Sequence, residues 1–123
     1  DSGGAGRFRG GLGQLLEFES HCPNPMTVRA EHGKLGTPPR GLAGGLPGAG
    51  GRILLNGVAM PDKLPLQMRA GDVLTLEVPG SGGMGPPAAR DPAAIAQDLA
   101  DGFVTRDAVL RDHGAAMLAR AAE

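Results

Sequence analysis

Arg7 and Arg9 are the residues of this 123-residue chain best suited to chemistry. They stand inside Asp1-Ser2-Gly3-Gly4-Ala5-Gly6-Arg7-Phe8-Arg9-Gly10-Gly11-Leu12-Gly13, where glycine lets the backbone approach a ligand or another surface closely. A guanidinium beside accessible backbone amides suits a carboxylate or another small anion. Gly4, Gly6, Arg7, Arg9, Gly10 and Gly11 are therefore the candidate substrate- or anion-binding residues. The plainer alternative pairs the two arginines with Glu17, Glu19 or a part of a longer chain.

The other chemical signals are thinner. Gly80-Ser81-Gly82-Gly83-Met84-Gly85 satisfies G-x-G-x-x-G, but a dinucleotide fingerprint needs a helix to open at once, and Pro86-Pro87 intervene. No Gly-Lys-Ser or Gly-Lys-Thr occurs, so a P-loop is absent. His21 and Cys22 are neighbours in an extended segment and point to opposite sides, which argues against a shared metal ion. His32 and His113 are expected in a turn and a distant helix, and Cys22 has no visible base to activate it. Asp98, Asp101, Asp107 and Asp112 read as helix caps and solvated faces. No metal ligand set and no catalytic residue is assigned.

Composition narrows the class. A net charge of −1 gives no electrostatic footprint for nucleic acid or an anionic membrane. No apolar run approaches the ~20 residues of a membrane span. One cysteine forbids an intrachain disulfide and fits a reducing, cytoplasmic setting. Twenty-two glycines and eleven prolines put disorder in play, while 41% hydrophobic residues argue for a core. With Phe8, Phe18 and Phe103 as the only aromatics, that core is expected to be marginal without a partner. The chain starts on Asp in mid-phrase, and we read it as the C-terminal piece of a longer protein.

The elements that must position the arginines follow from periodicity. Leu16 and Phe18 alternate with Glu17 and Glu19, predicting a strand over 12–19. Met26, Val28 and Ala30 alternate with Thr27, Arg29 and Glu31, a second strand expected to pair antiparallel with the first across Pro23-Asn24-Pro25. Residues 33–51 read as a long Gly/Pro loop, functional or disordered. Asn56-Gly57 predicts a type I′ hairpin between Ile53-Leu54-Leu55 and Val58-Ala59-Met60, and Ala70-Gly71-Asp72 a turn between Leu66–Met68 and Val73–Val78. Beyond residue 90 the period changes. Asp91 and Pro92 open a helix over 92–101, and Thr105 opens a second over 105–113, with Gly114 interrupting it before an alanine-rich tail. The fold class is α+β, mainly β, with antiparallel strands and hairpins, long Gly/Pro-rich loops and two short C-terminal helices. The division is a β-rich domain over 1–90 and a helical segment over 91–123.

Several phrases together resemble one family. Gly3 to Gly13 is similar to the "GGAGRxRGGLG" phrase of hydantoinase B subunits, of the hydantoinase/5-oxoprolinase family, and Pro39-Arg40-Gly41-Leu42-Ala43-Gly44-Gly45-Leu46-Pro47-Gly48 resembles its "PPxGLxGGxPG" loop. Leu64-Pro65, Ala70-Gly71-Asp72, Pro79 to Gly85, Arg90-Asp91-Pro92 and Asp101-Gly102-Phe103-Val104 follow in that family's C-terminal order. Met84 stands where an aromatic is more usual, and His113 where Tyr is. The resemblance implies an ATP-dependent amidohydrolase that opens hydantoin or lactam rings, with an A-type subunit handling ATP and related members carboxylating ketones. ATP with Mg and a catalytic metal are implied for the intact complex. The family's metal-binding His and Asp lie upstream, so none is carried over to these residues. The isolated chain is expected to be inactive, and the plain residue reading leaves open a free-standing anion-binding or subunit-interaction module.

Overall fold

The computed structural model describes residues 1–29, 36–61 and 65–122. Among these residues six strands and three α-helices follow in order, so the fold is α+β as the patterning predicts. The strands are β1 (Gln14–Glu19), β2 (Met26–Arg29), β3 (Arg52–Leu55), β4 (Val58–Ala59), β5 (Pro65–Met68) and β6 (Val73–Val78). One antiparallel sheet has the order β1-β6-β3-β4, and a second pairs β2 with β5. Asn56 and Gly57 both have positive φ, 50° and 79°, as the type I′ turn of the β3–β4 hairpin requires.

The expected pairing of the first two strands does not occur. β1 pairs with β6, and β2 lies in the other sheet against β5. The reason is visible at Ser20, which is buried. Its amide donates to the Asp72 carbonyl and its own carbonyl accepts from Gly71, so the chain is tied to the 69–72 turn there and crosses between sheets. The turn at 69–72 makes the matching crossing from β5 to β6. Leu66 and Met68 from one sheet then pack on Ile53 and Leu74 from the other, with Val28, Leu55, Met60 and Leu76 around them. Paired with β5, β2 brings Val28 against this cluster, whereas no β1 residue joins it. Strand β1 begins at Gln14, later than expected, and Ala30, Glu31 and His32 lie outside the described residues.

The helices are α1 (Pro92–Ala100), α2 (Arg106–His113) and α3 (Ala115–Arg120). The Asp91 carboxylate accepts from the Ala93 amide and the Thr105 hydroxyl from Ala108, which fixes both predicted starts. The third helix corrects the expectation of two. Gly114, at φ 87°, breaks α2, and the tail then folds back so that Met117 joins Ile95 and Val109. Ile95 and Val109 are each 1% exposed. This apolar cluster is separate from the one between the sheets.

Candidate functional site

Three glycine-rich segments, 2–13, 36–51 and 79–85, meet one another. Residues 79–85 run through the middle. The Gly4 amide donates to the Ser81 carbonyl, Ser81 to Gly11, and Phe8 and Met84 exchange both backbone bonds, each at 2.9 Å. On the other side Leu42 donates to Gly83 and Gly83 to Leu46, at 2.9 Å, and Gly85 to Leu42 at 3.0 Å. Leu46 closes the triangle by donating to the Ala5 carbonyl at 2.7 Å. The 36–51 part of the long loop is thus ordered by pairing with distant glycine segments, a partner that its local sequence does not reveal. Backbone packs directly on backbone. A methyl group at Gly10 would overlap the Ser81 carbonyl, and one at Gly83 the carbonyl of Ala5.

This packing places the candidate anion-binding residues. Gly4, Gly6 and Gly10 are buried. The amides of Gly4 and Gly10 donate to the carbonyls of Ser81 and Gly4, and the Gly11 amide donates to the Ser81 hydroxyl. Arg7 is exposed, with its guanidinium 5.4 Å from the centre of the Phe8 ring, and forms no ion pair with the described residues. Phe8, Leu42 and Met84, bridged through their backbones, leave an exposed apolar cluster next to it.

Arg9 points the other way. Its Nε lies 3.2 Å from an Asp98 carboxylate oxygen, and its guanidinium sits 5.3 Å from the Phe103 ring centre. The same carboxylate accepts from Arg90 Nη2 at 2.5 Å, while Arg90 Nη1 donates to the Arg7 carbonyl at 3.4 Å. Asp98 is 7% exposed and not on a solvated face, which corrects the sequence reading. The carboxylate on α1 balances one of two positive charges that would otherwise be desolvated unpaired. The Arg9 Nε–H is not aimed at the carboxylate and is buried without a hydrogen-bond partner. A cavity of about 20 Å³ beside it, bordered by Asp1, Gly3, Arg90 and His113, has room for a water molecule.

Further contacts fasten the same junction. The Asp1 carboxylate accepts from the Thr105 amide at 2.7 Å and from its hydroxyl at 2.8 Å. His113 Nδ1 is 2.9 Å from the Pro87 carbonyl. Arginine-bearing loop and helices therefore form one braced unit. Sequence reasoning missed Asp98 and Arg90. Their partners are distant in the chain, and one helical aspartate among four carries no local mark. The Arg90-Asp91-Pro92 phrase was the available signal.

His21 and Cys22 are exposed, and His21 Nε2 lies 3.9 Å from exposed Glu19. His32 is outside the described residues. Among the described residues no group of three or more His, Cys, Asp or Glu is placed to hold a metal ion. The G-x-G-x-x-G segment is followed by a short 3-10 turn at Pro87–Ala89 and reaches α1 only at Pro92, so it opens no helix.

A glycine-threaded α+β unit, with an arginine-bearing loop locked onto a helical pair, is the class of structure defined here. The family model for hydantoinase B/oxoprolinase matches residues 1–87. An uncharacterized protein of Methanocaldococcus jannaschii is 32% identical over 92% of this chain. A protein of Pseudomonas sp. assigned as the B component of a D-/L-hydantoinase is 30% identical over 89% of it. These alignments cover 20% and 19% of the relatives, so the chain spans about one fifth of their length. The fold is similar to the nucleotide-free structure of acetone carboxylase, with a TM-score of 0.64, 20% identity, and coverage of 92% of this chain and 20% of that one. The chain belongs to the hydantoinase B/oxoprolinase family, as a hydantoinase B-like C-terminal region.

Proposed function

We propose that this chain is a scaffold and site wall in the hydantoinase B-type subunit of an ATP-dependent hydrolase that opens cyclic amides such as hydantoins or 5-oxoproline. An A-type subunit handles ATP with Mg, and a catalytic metal belongs to the remainder of the B-type subunit. The observation that carries the reading is the family match over residues 1–87, which contain all three glycine segments and both candidate arginines. Opening an unactivated amide needs a means of activating the carbonyl and a base or metal-bound water at carbon. This region contributes shape and positive charge to that task. The exposed Arg7 guanidinium orients an anionic intermediate, and Arg9 holds the loop in place through Asp98. Gly4, Gly6, Gly10 and Gly11 set the shape of the loop and bring its backbone to the site. The setting is cytoplasmic, and no helix among the described residues is long and apolar enough to cross a membrane.

The fold likeness to acetone carboxylase favours a second reading, ketone carboxylation by the same architecture. Product analysis separates the two. The parent subunit with its A-type partner is given ATP and either hydantoin and 5-oxoproline, or acetone and bicarbonate. Ring-opened acid formed with ADP supports the hydrolase. A carboxylated ketone with no ring opening selects the second reading. The isolated 123 residues are expected to turn over neither.

A further inference from the structure

The two edges of the four-stranded sheet differ sharply. At one end β4 is two residues long, which leaves little edge to pair with. At the other end β1 has six residues, and all six are exposed. Among the described residues nothing pairs with its outer edge, which carries no Pro and no Lys and has Glu17 and Glu19 as its only charges. Its apolar residues continue the buried face. One row across the sheet runs Ile53, Leu76, Leu16, and the next runs Leu55, Leu74, Phe18. Ile53 and Leu74 are each 3% exposed, whereas Leu16 is 39% and Phe18 51% exposed. The sheet formed by β2 and β5 covers the face over β3 and β6 and stops short of β1.

We propose that β1 is an interior strand of the parent subunit: a strand from the preceding part of the same polypeptide pairs along its open edge and covers Leu16 and Phe18. Two observations select this occupant. The related proteins carry about four fifths of their length outside the region this chain matches, which is ample chain to supply a strand. A second copy of this chain is disfavoured by charge. Glu17 and Glu19 alternate along β1, and antiparallel self-pairing centred on Glu17 or Phe18 would set carboxylates opposite one another across the new ladder. The same carboxylates predict Lys or Arg on the incoming strand.

The test is residue-resolved hydrogen exchange on the full-length subunit. In an edge strand only the amides facing β6 are protected, in alternation. In an interior strand successive amides from Leu15 to Glu19 all exchange slowly, by about 100-fold or more relative to an open amide. Full protection in the subunit alone is the expected result, and alternating protection overturns the proposal. Protection that appears only on adding the A-type subunit, or only as concentration rises, assigns the edge to a partner or a second copy and also overturns it. Phe18→Lys is expected to lower the melting temperature of the full-length subunit while Val58→Lys, on the short edge, leaves it unchanged. Equal, negligible effects of both count against the proposal. Should Phe18→Lys fail to fold, exchange in the unmodified subunit still decides.

Discussion

Arg9 Nε lies 3.2 Å from the Asp98 carboxylate, and this contact ties the arginine-bearing glycine loop to the first helix. Arg90 reaches the same carboxylate, so one aspartate serves two guanidinium groups, all with side chains at least four-fifths buried. The arrangement is asymmetric in its consequences. Loss of either arginine leaves the other paired, and loss of the aspartate leaves two buried positive charges facing each other.

Asp98→Ala is therefore expected to destabilise the chain by about 3 kcal/mol or more, the range for breaking a buried pair. Arg9→Ala is expected to cost clearly less, because Arg90 still satisfies the carboxylate. Thermal or urea unfolding of the three proteins checks the order. Equal losses would mean that the carboxylate is held by something other than the two arginines.

The glycine unit makes a second, sharper contrast. At Gly83 a methyl group meets the Ala5 backbone, whose carbonyl is held by the Leu46 amide and whose neighbour Gly4 is bonded to Ser81 and Gly10. At Gly57 nothing lies within 4 Å, and the only penalty is the φ of +79°. Gly57→Ala is expected to cost about 1–2 kcal/mol for the left-handed backbone, and Gly83→Ala enough to disrupt the junction of the three segments. Loss of the folded state for Gly57→Ala alone would contradict this.

Acid should weaken the sheet region through two carboxylates. The Arg69 amide and the Asn56 side chain hold the Asp72 carboxyl below its ordinary pKa, and the hydrogen bond from Arg52 does the same for Glu77. A group whose pKa is lowered on folding binds fewer protons folded than unfolded. Its contribution is fully present above the unfolded value and disappears as pH falls through the folded one. Stability is expected to be flat near neutrality and to fall below about pH 4. Asp72→Asn should flatten that fall. Both sites are half-exposed and reached by solvent, so the change is modest and shrinks at high salt. An acid limb unchanged in Asp72→Asn would remove its role.

The fold was legible where the signal is local. Asn56-Gly57 specified its turn, Asp91 and Thr105 their helix starts, and period-2 alternation the strands. The β3–β4 pairing was legible from its turn, but the partners of β1 and β2 were not, because the hydrogen bonds at Ser20 that send these two strands into different sheets are formed with residues 71 and 72. The candidate site was half legible. Glycine density flagged the loop, but the direction of each arginine depends on Asp98, Phe103 and Phe8, and only Phe8 is adjacent in sequence. The third helix escaped because an alanine-rich stretch after a helix-breaking glycine carries little periodicity.

The most direct test of the account is ATP-dependent turnover of the intact B-type subunit with its A-type partner, comparing the unmodified complex with Arg9→Ala. If the loop is a site wall held in register by Asp98, turnover falls while nucleotide binding to the A-type subunit stays the same. Unchanged turnover in Arg9→Ala, or parallel loss of nucleotide binding, would contradict it.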